Sequence, residues 1–119
     1  IRPLDMVVKS VVNKSGIKVY IIQSIDMKRP LEDIVEAKGL EMSELISEIE
    51  AIVNSGTRIN LDYYINMVMD EERQHDIFSY FREEAESDSL EEAIAELGNE
   101  FEEEEIRLMR IKFLSEMGN

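Results

Sequence analysis

Apolar residues recur along most of the chain at the three- and four-residue intervals of an α-helix. After Gly16, the segment IKVYIIQSIDM places its apolar positions on one helical face, which favours a helix over the β-strand that KVYII alone would suggest. Pro30 is typical of a helix start and Gly39 of a helix end, so a short helix is expected between them. The pattern therefore predicts two consecutive helices before residue 40.

A third and longer helix is predicted next. Ser43 is suited to cap its first turn and Ser55-Gly56 to end it, and the helix has an apolar stripe formed by Leu45, Ile49, Ile52 and Val53. Two helices joined by a tight glycine turn, the second longer than the first, predict a helix-turn-helix, and the preceding helix completes a three-helix core. The segment TRINLDYY favours a brief extended stretch. The sequence does not decide whether residues 57–61 form a small wing.

The second half of the chain predicts a helical lobe. A helix is expected to begin near Asp62 and to break near Asp70, and a second one to run from Ser89, which forms a capping box with Glu92, to Gly98. The apolar positions up to residue 81 are Ile65, Val68, Met69, Ile77, Phe78 and Phe81, and a final helix carries the stripe Ile106, Met109, Phe113 and Met117. We therefore expect an all-α fold, in which a helix-turn-helix three-helix core packs against a C-terminal helical lobe.

This pattern also gives the expected organisation of the chain. Residues 1–15 are weakly patterned and are expected to be an N-terminal linker from the upstream part of a longer protein. The helix-turn-helix is expected over residues 16–61, and the acidic C-terminal helical lobe over residues 62–119.

Charge is distributed unevenly along the chain, whose net charge is −14. Residues 1–29, the basic head, hold six basic and two acidic side chains, whereas residues 30–119, the acidic body, hold seven basic and 25 acidic ones. DNA affinity depends largely on neutralising phosphates, so only the basic head is expected to supply it. Its candidate nucleic-acid-binding residues are Lys14, Lys18, Lys28 and Arg29.

The sequence offers little chemistry of its own. It has no cysteine and one histidine, His75, and it lacks the glycine-rich phosphate-binding motifs and the G-x-S-x-G motif, so we expect no catalytic residue, cofactor or metal in this chain. The acidic runs lack the spacing of a calcium loop and are expected to be solvated helix faces. The longest apolar run is too short to cross a bilayer, and the absence of cysteine fits a reducing compartment, so a cytoplasmic protein without membrane contact is predicted.

Two features that resemble nucleic-acid readers are better explained by packing and charge. The aromatic residues Tyr63, Tyr64, Phe78 and Phe81 lack interleaved basic residues, so core packing is expected rather than base stacking. The longer helix of the helix-turn-helix carries three glutamates where a reading helix usually offers Arg, Lys, Asn or Gln, which argues against specific major-groove binding. The residues that it would present to a groove are Ser43, Glu44, Ser47, Glu48, Glu50 and Asn54.

The ordered series of these elements resembles the C-terminal helix-turn-helix region of a RecQ-type ATP-dependent DNA helicase. The similarity rests on YIIQSIDMKRPLEDIVEAKGLEMSELISEIEAIVNSGTRINLDYYI, with its Ser-Gly-Thr-Arg connection and Tyr pair, and on EEEIRLMRIKFLSE further on. The resemblance implies a parent enzyme that unwinds DNA 3′ to 5′ with ATP, in replication, recombination and repair. ATP, magnesium and zinc would belong to that parent protein, because the motor motifs and zinc-binding cysteines have no match in this sequence.

Two hypotheses for the role of the chain follow. In the first, it is an accessory module whose basic head touches DNA phosphates weakly and without sequence preference. In the second, the acidic body is a protein-interaction or regulatory module that docks a basic surface, either on the motor domain of the same protein or on a repair partner. A free-standing transcription regulator is a weaker third possibility, because the required basic reading helix is missing.

Overall fold

The computed structural model of the chain describes residues 16–117, and this part is entirely helical apart from its connections. No strand is formed within these residues, which confirms the all-α prediction. The elements are α1 (residues 16–26), α2 (Leu31–Lys38), α3 (Met42–Asn54), α4 (Asp62–Val68), α5 (Glu71–Ser79), a π-helical turn (Tyr80–Glu84), α6 (Leu90–Leu97) and α7 (Glu103–Met117).

The first three helices form the predicted helix-turn-helix core, and α1 and α3 end in the same way. At the end of α3, Gly56 has φ 104°, its N–H donates to the carbonyl of Val53, and the next N–H donates to the carbonyl of Ile52. This is the Schellman arrangement, which favours glycine because its αL residue has no Cβ to crowd the backbone. At the end of α1 the same two bonds form around Lys28, whose φ is 60°.

The helix starts follow the sequence closely with one exception. The predicted break near Asp70 is present, and Asp70 caps α5 by accepting from the N–H of Arg73. Ser89 caps α6 as predicted by accepting from the N–H of Glu92, but the Glu92 carboxylate accepts from Ser87 Oγ instead of completing the capping box. Ser43, by contrast, is not the cap of α3: the helix begins one residue earlier, and Glu41 and Glu44 form a reciprocal capping box. The two glutamates together satisfy two N–H groups of the first turn, which a single serine hydroxyl does not do.

Helix α7 is the centre of the molecule and packs against α3, α4, α5 and α6. Because other helices surround it, its burial is not limited to the predicted stripe: Ile106 and Met109 are buried as expected, but Leu108 and Ile111 are buried as well. Met117 ends the helix and is exposed, so its predicted place in the core is wrong. A single buried apolar cluster therefore joins the helix-turn-helix to the residues beyond it.

The segment that follows α3 is held against α7. The N–H of Ile59 donates to Ser115 Oγ at 3.1 Å, and the side chains of Ile59 and Leu61 are buried. The backbone thus finds its partner on a helix instead of on a second strand, and the small wing left open for residues 57–61 is not formed.

The aromatic residues of the second half lie in the core or at its edge. Tyr64 and Phe81 are buried, and the rings of Phe78 and Phe81 both contact Phe113. Val68, predicted as part of the apolar face, is instead exposed at the end of α4. The boundary between residues 61 and 62 stays a prediction, and the predicted linker over residues 1–15 lies outside the described residues.

Candidate nucleic-acid interface

The face of α3 that would enter a DNA groove is partly covered by α7. The Arg107 guanidinium donates from Nε to Glu50 Oε2 at 3.2 Å and from Nη2 to Glu50 Oε1 and Ser47 Oγ, both at 2.8 Å. These bonds form although Arg107 is only 7% exposed, and the bonds to Glu50 raise the pKa of Arg107 despite its burial. Ser47 and Glu50 are therefore engaged within the molecule, whereas Ser43, Glu44 and Asn54 of the same face remain exposed.

Most cations of the acidic body are engaged in the same manner. Four of its seven basic side chains form ion pairs with carboxylates of other elements or of neighbouring turns. They are therefore poor candidates for phosphate contacts. The pairs are Arg73 with Glu105, Arg107 with Glu50, Arg110 with Glu50, and Lys112 with Asp62 and Glu116.

The described cations of the basic head are arranged differently. Lys18, Lys28 and Arg29 are exposed, and none of the residues 16–117 forms an ion pair with them. Lys28 and Arg29 are adjacent in the turn after α1, whereas Lys18 lies ten residues back, about 15 Å along the helix at 1.5 Å per residue. The structure thus brings together two of the four predicted residues, and Lys14 lies outside the described residues.

The tyrosine pair of α4 fixes the turn that carries these two cations. The Tyr63 hydroxyl donates to the carbonyl of Arg29, and the Tyr64 hydroxyl donates to Glu32 Oε2 at 2.5 Å. Burial raises the pKa of Tyr63 to about 12, and burial together with the Glu32 carboxylate raises that of Tyr64. Both hydroxyls therefore keep their protons at neutral pH and hold the α1–α2 connection against α4.

Acidic side chains limit the positive potential around this turn. Lys28 lines a surface depression of about 410 Å³ together with Asp26, Asp62 and Tyr63. A phosphate that approached Lys28 here would also meet two carboxylates, so the arrangement suits a few backbone contacts and not a continuous track.

Lys38, in the last turn of α2, is a cation beside α1 that the sequence did not single out. Its Nζ lies 4.5 Å from the centre of the Tyr20 ring, which is a cation–π contact. The sequence places the two residues 18 positions apart, and only the packing of α2 on α1 brings them together.

Neither His75 nor the acidic runs form a metal site. Within residues 16–117 no group of three or more His, Asp or Glu side chains is arranged to hold a metal ion. His75 is exposed on α5, with Ser79 Oγ 3.4 Å from its Nε2. No helix of residues 16–117 has the length and apolar character needed to cross a membrane.

The geometry defines a helix-turn-helix whose longer helix is held by another helix of the same chain. Residues 15–65 match the family model described as "RecQ-1-like, helix-turn-helix domain". The match supports a RecQ-type helix-turn-helix region over these residues, as the resemblance indicated. None of the curated proteins matches the chain.

The residues that sequence reasoning missed are those that depend on long-range packing. Arg107 lies in the last helix, outside its predicted apolar stripe, yet it binds Glu50, 57 positions away. The sequence contained a partial signal that Arg107 is buried, because it stands between apolar Ile106 and Leu108, after a run of glutamates at the start of the helix.

Proposed function

We propose that the chain is a non-catalytic accessory domain of a RecQ-type, ATP-dependent 3′ to 5′ DNA helicase that acts in replication, recombination and repair. The match of residues 15–65 to the RecQ-1-like helix-turn-helix family carries this proposal. In the parent protein, ATP and magnesium, and zinc where the family binds it, would be held by other domains in the cytoplasm. A full-length gene product without a motor domain would overturn the proposal.

Within that enzyme we propose that the basic head contacts the DNA backbone. Lys28 and Arg29 form the centre of the proposed contact, and Lys18 is a more distant part of it. Lys14 is included because it belongs to the same basic segment of the sequence. Contacts to phosphate alone carry no sequence information, so the affinity is expected to be weak, independent of sequence and strongly reduced by salt. The bonds from Arg107 to Ser47 and Glu50, together with the glutamates on the same face of α3, support this mode over groove reading.

Fluorescence anisotropy with single-stranded, duplex and forked DNA tests this mode. The 119-residue chain is titrated at about 20 mM and about 150 mM salt, next to a variant with Lys14, Lys18, Lys28 and Arg29 changed to Glu. Binding that weakens with salt and is lost in the variant is expected. Absence of binding at the lower salt concentration would contradict the proposed DNA contact.

A matched pair of single variants separates local contact from net charge. Lys28→Glu changes the proposed contact, whereas Arg82→Glu makes the same charge change at an exposed position of the π-helical turn. We expect Lys28→Glu to weaken binding several-fold and Arg82→Glu to weaken it much less. Equal losses would show that total charge, and not the turn after α1, governs the affinity.

A second candidate function is that the acidic body docks a basic protein surface, on the motor domain of the same protein or on a repair partner. The supporting observation is the charge of residues 30–119, where 25 acidic side chains face seven basic ones and four of the seven are already paired. Complementary potentials of this kind raise association rates and select partners. This interaction is expected to be salt-sensitive and to require no DNA.

A further inference from the structure

The π-helical turn shapes an acidic depression on the side of α6. Its wider helical turn closes with the N–H of Ala85 donating to the carbonyl of Tyr80 at 2.8 Å, and it directs the consecutive side chains of Tyr80 and Phe81 inward. Single π-helical turns are rare and occur frequently at functional sites. The depression, about 430 Å³ in volume, is called the Tyr80 pocket here and is lined by Tyr80, Glu84, Glu86, Glu92, Ala95 and Glu96.

The Tyr80 side chain is held rigidly but leaves its hydroxyl without a protein partner. The residue is only 8% exposed, and its ring makes an edge-to-face contact with Phe81 at 5.2 Å between centroids. Every fully buried polar side-chain atom of the described residues has a hydrogen-bond partner, whereas no described residue bonds the Tyr80 hydroxyl. The hydroxyl therefore reaches solvent, and it does so at the pocket that Tyr80 lines.

The pocket carries four carboxylates and none of its lining residues is a cation. Burial, followed by these four carboxylates, raises the pKa of Tyr80. A second acidic depression, around Glu105, contains Arg73 as a counter-charge, but no lining residue of the Tyr80 pocket plays that part. Cations that balance the negative charge of the pocket must therefore be supplied by groups other than its lining residues.

The composition of the pocket decides which kind of cation is proposed. No group of three or more His, Asp or Glu side chains within residues 16–117 is arranged to hold a metal ion, so a single metal ion is not the expected counter-charge. Separate carboxylates around an open pocket suit several cationic side chains on one extended segment. Arginine fits best, because its planar guanidinium donates to a carboxylate and to a hydroxyl oxygen at once and stacks on an aromatic ring.

We propose that the Tyr80 pocket binds an arginine-containing peptide segment of a partner protein, with one guanidinium donating to the Tyr80 hydroxyl oxygen and to a neighbouring glutamate. The proposal rests on the second of the two functions above and gives that function a defined site. It uses none of the residues of the basic head, so DNA binding and peptide binding can fail independently.

Peptide binding is tested with a fluorescein-labelled peptide of alternating Arg and Gly, titrated with the 119-residue chain at low salt. A citrulline version, which keeps the shape and removes the charge, is the control for the peptide. We expect saturable binding of the arginine peptide and at least a tenfold loss with citrulline. Equal binding of the two peptides, or no binding of the arginine peptide, would overturn the proposal.

Two variants locate the site on the protein. Tyr80→Phe removes only the hydroxyl, and we expect a three- to tenfold weaker complex, roughly the loss of one ordinary hydrogen bond, with an unchanged thermal unfolding midpoint. Glu92→Gln with Glu96→Gln removes two charges of the pocket and is expected to weaken binding at least tenfold. Glu36→Gln with Glu71→Gln makes the same change at exposed positions outside the pocket and serves as the matched control.

The variants also separate this site from the broader function. Loss of affinity in the pocket variants alone supports the Tyr80 pocket. Equal losses in the pocket and control variants would overturn the pocket while leaving a diffuse acidic docking surface. Peptide binding by a chain that shows no DNA binding would contradict the proposed DNA contact without affecting the pocket.

Discussion

At the scale of single residues, Arg107 illustrates how a charged side chain can be a core residue. Its guanidinium joins α7 to α3 through Glu50 and Ser47 and is almost completely buried. Taking a guanidinium out of water is costly, and here three hydrogen bonds offset that cost. Removing Arg107 leaves the Glu50 carboxylate with only the longer contact to Arg110, at 4.0 Å.

We therefore expect Arg107→Ala to lower the free energy of unfolding by about 3 kcal/mol. Urea denaturation measures the change, and Arg82→Ala, at an exposed cation outside such a network, is the control and is expected to change stability by less than about 0.5 kcal/mol. In a double-mutant cycle, Glu50→Gln is expected to cost less in the Arg107→Ala background than alone. Additive effects of the two substitutions would contradict the buried pair.

Lys28 is a residue whose backbone conformation is unusual for its side chain. It occupies the αL position of the Schellman motif at the end of α1, where glycine has no steric penalty and α3 uses Gly56. Lys28→Gly is expected to stabilise the fold by up to about 1 kcal/mol and, under the DNA proposal, to weaken DNA binding. Urea denaturation and anisotropy measure the two effects, and a destabilised variant would contradict the strain at this position.

At the scale of elements, α4 holds the helix-turn-helix through its two tyrosines. Because the folded-state pKa of Tyr63 is about 12, above its ordinary value of 10.0, the folded state keeps a proton that the unfolded state loses. The stabilisation is complete below pH 10 and is lost as the pH rises from about 10 towards 12. Tyr64 acts in the same direction.

We expect unfolding midpoints to fall steeply above about pH 10, and less steeply in Tyr63→Phe, which has no proton to lose. Denaturation curves between pH 8 and about pH 11 measure the slope. Tyr20→Phe is the control, because that ring contacts Lys38 through its face and not through a hydroxyl bond. Identical slopes for all three proteins would contradict the role of the Tyr63 hydroxyl.

The elements also show what the sequence could and could not predict. Helix starts and ends depend on nearby residues such as Asp70, Ser89 and Gly39, and these were predicted correctly. The predicted start of α3 was wrong because Glu41 and Glu44 together cap the helix in place of Ser43. The π-helical turn and the Tyr80 pocket have no local signature, since Phe81 packs on the distant Phe113 and the pocket requires residues of α6 beside the turn.

The candidate site divides in the same way. The exposure of Lys18, Lys28 and Arg29 follows from their polarity and was predictable. Their arrangement was not, because it depends on where α1 ends and on the bond from Tyr63 to the Arg29 carbonyl, 34 positions away. The covering of α3 by Arg107 could not be predicted from a helical pattern, which reports local periodicity and not the partner of a face.

At the scale of the whole molecule, the net charge of −14 works against compactness. Glu104 shows the effect at one position. Burial raises its pKa most, and repulsion from the carboxylates of Glu102, Glu32 and Glu105 raises it further. A raised carboxyl pKa means that ionisation opposes folding, so this contribution to stability improves as the pH falls through the folded-state pKa.

We expect the unfolding midpoint at neutral pH to rise with salt between about 20 mM and 500 mM, because screening weakens repulsion among the carboxylates. Glu104→Gln is expected to stabilise the chain by less than about 1 kcal/mol at low salt, with a smaller effect at high salt. Glu36→Gln, away from α7, is the control for charge. Thermal melts measure the midpoints, and a midpoint that falls with salt would contradict the balance described here.

The central position of α7 also affects the order in which the chain acquires structure during synthesis. A ribosome releases the helix-turn-helix first, yet α7, which packs against α3, comes later, and its Arg107 lies 57 positions beyond Glu50. Until that last helix emerges, the nascent chain has an acidic α3 face without its cation and an open apolar surface beneath it. Its tertiary structure is therefore expected to form late, when residues 103–117 close over the earlier helices.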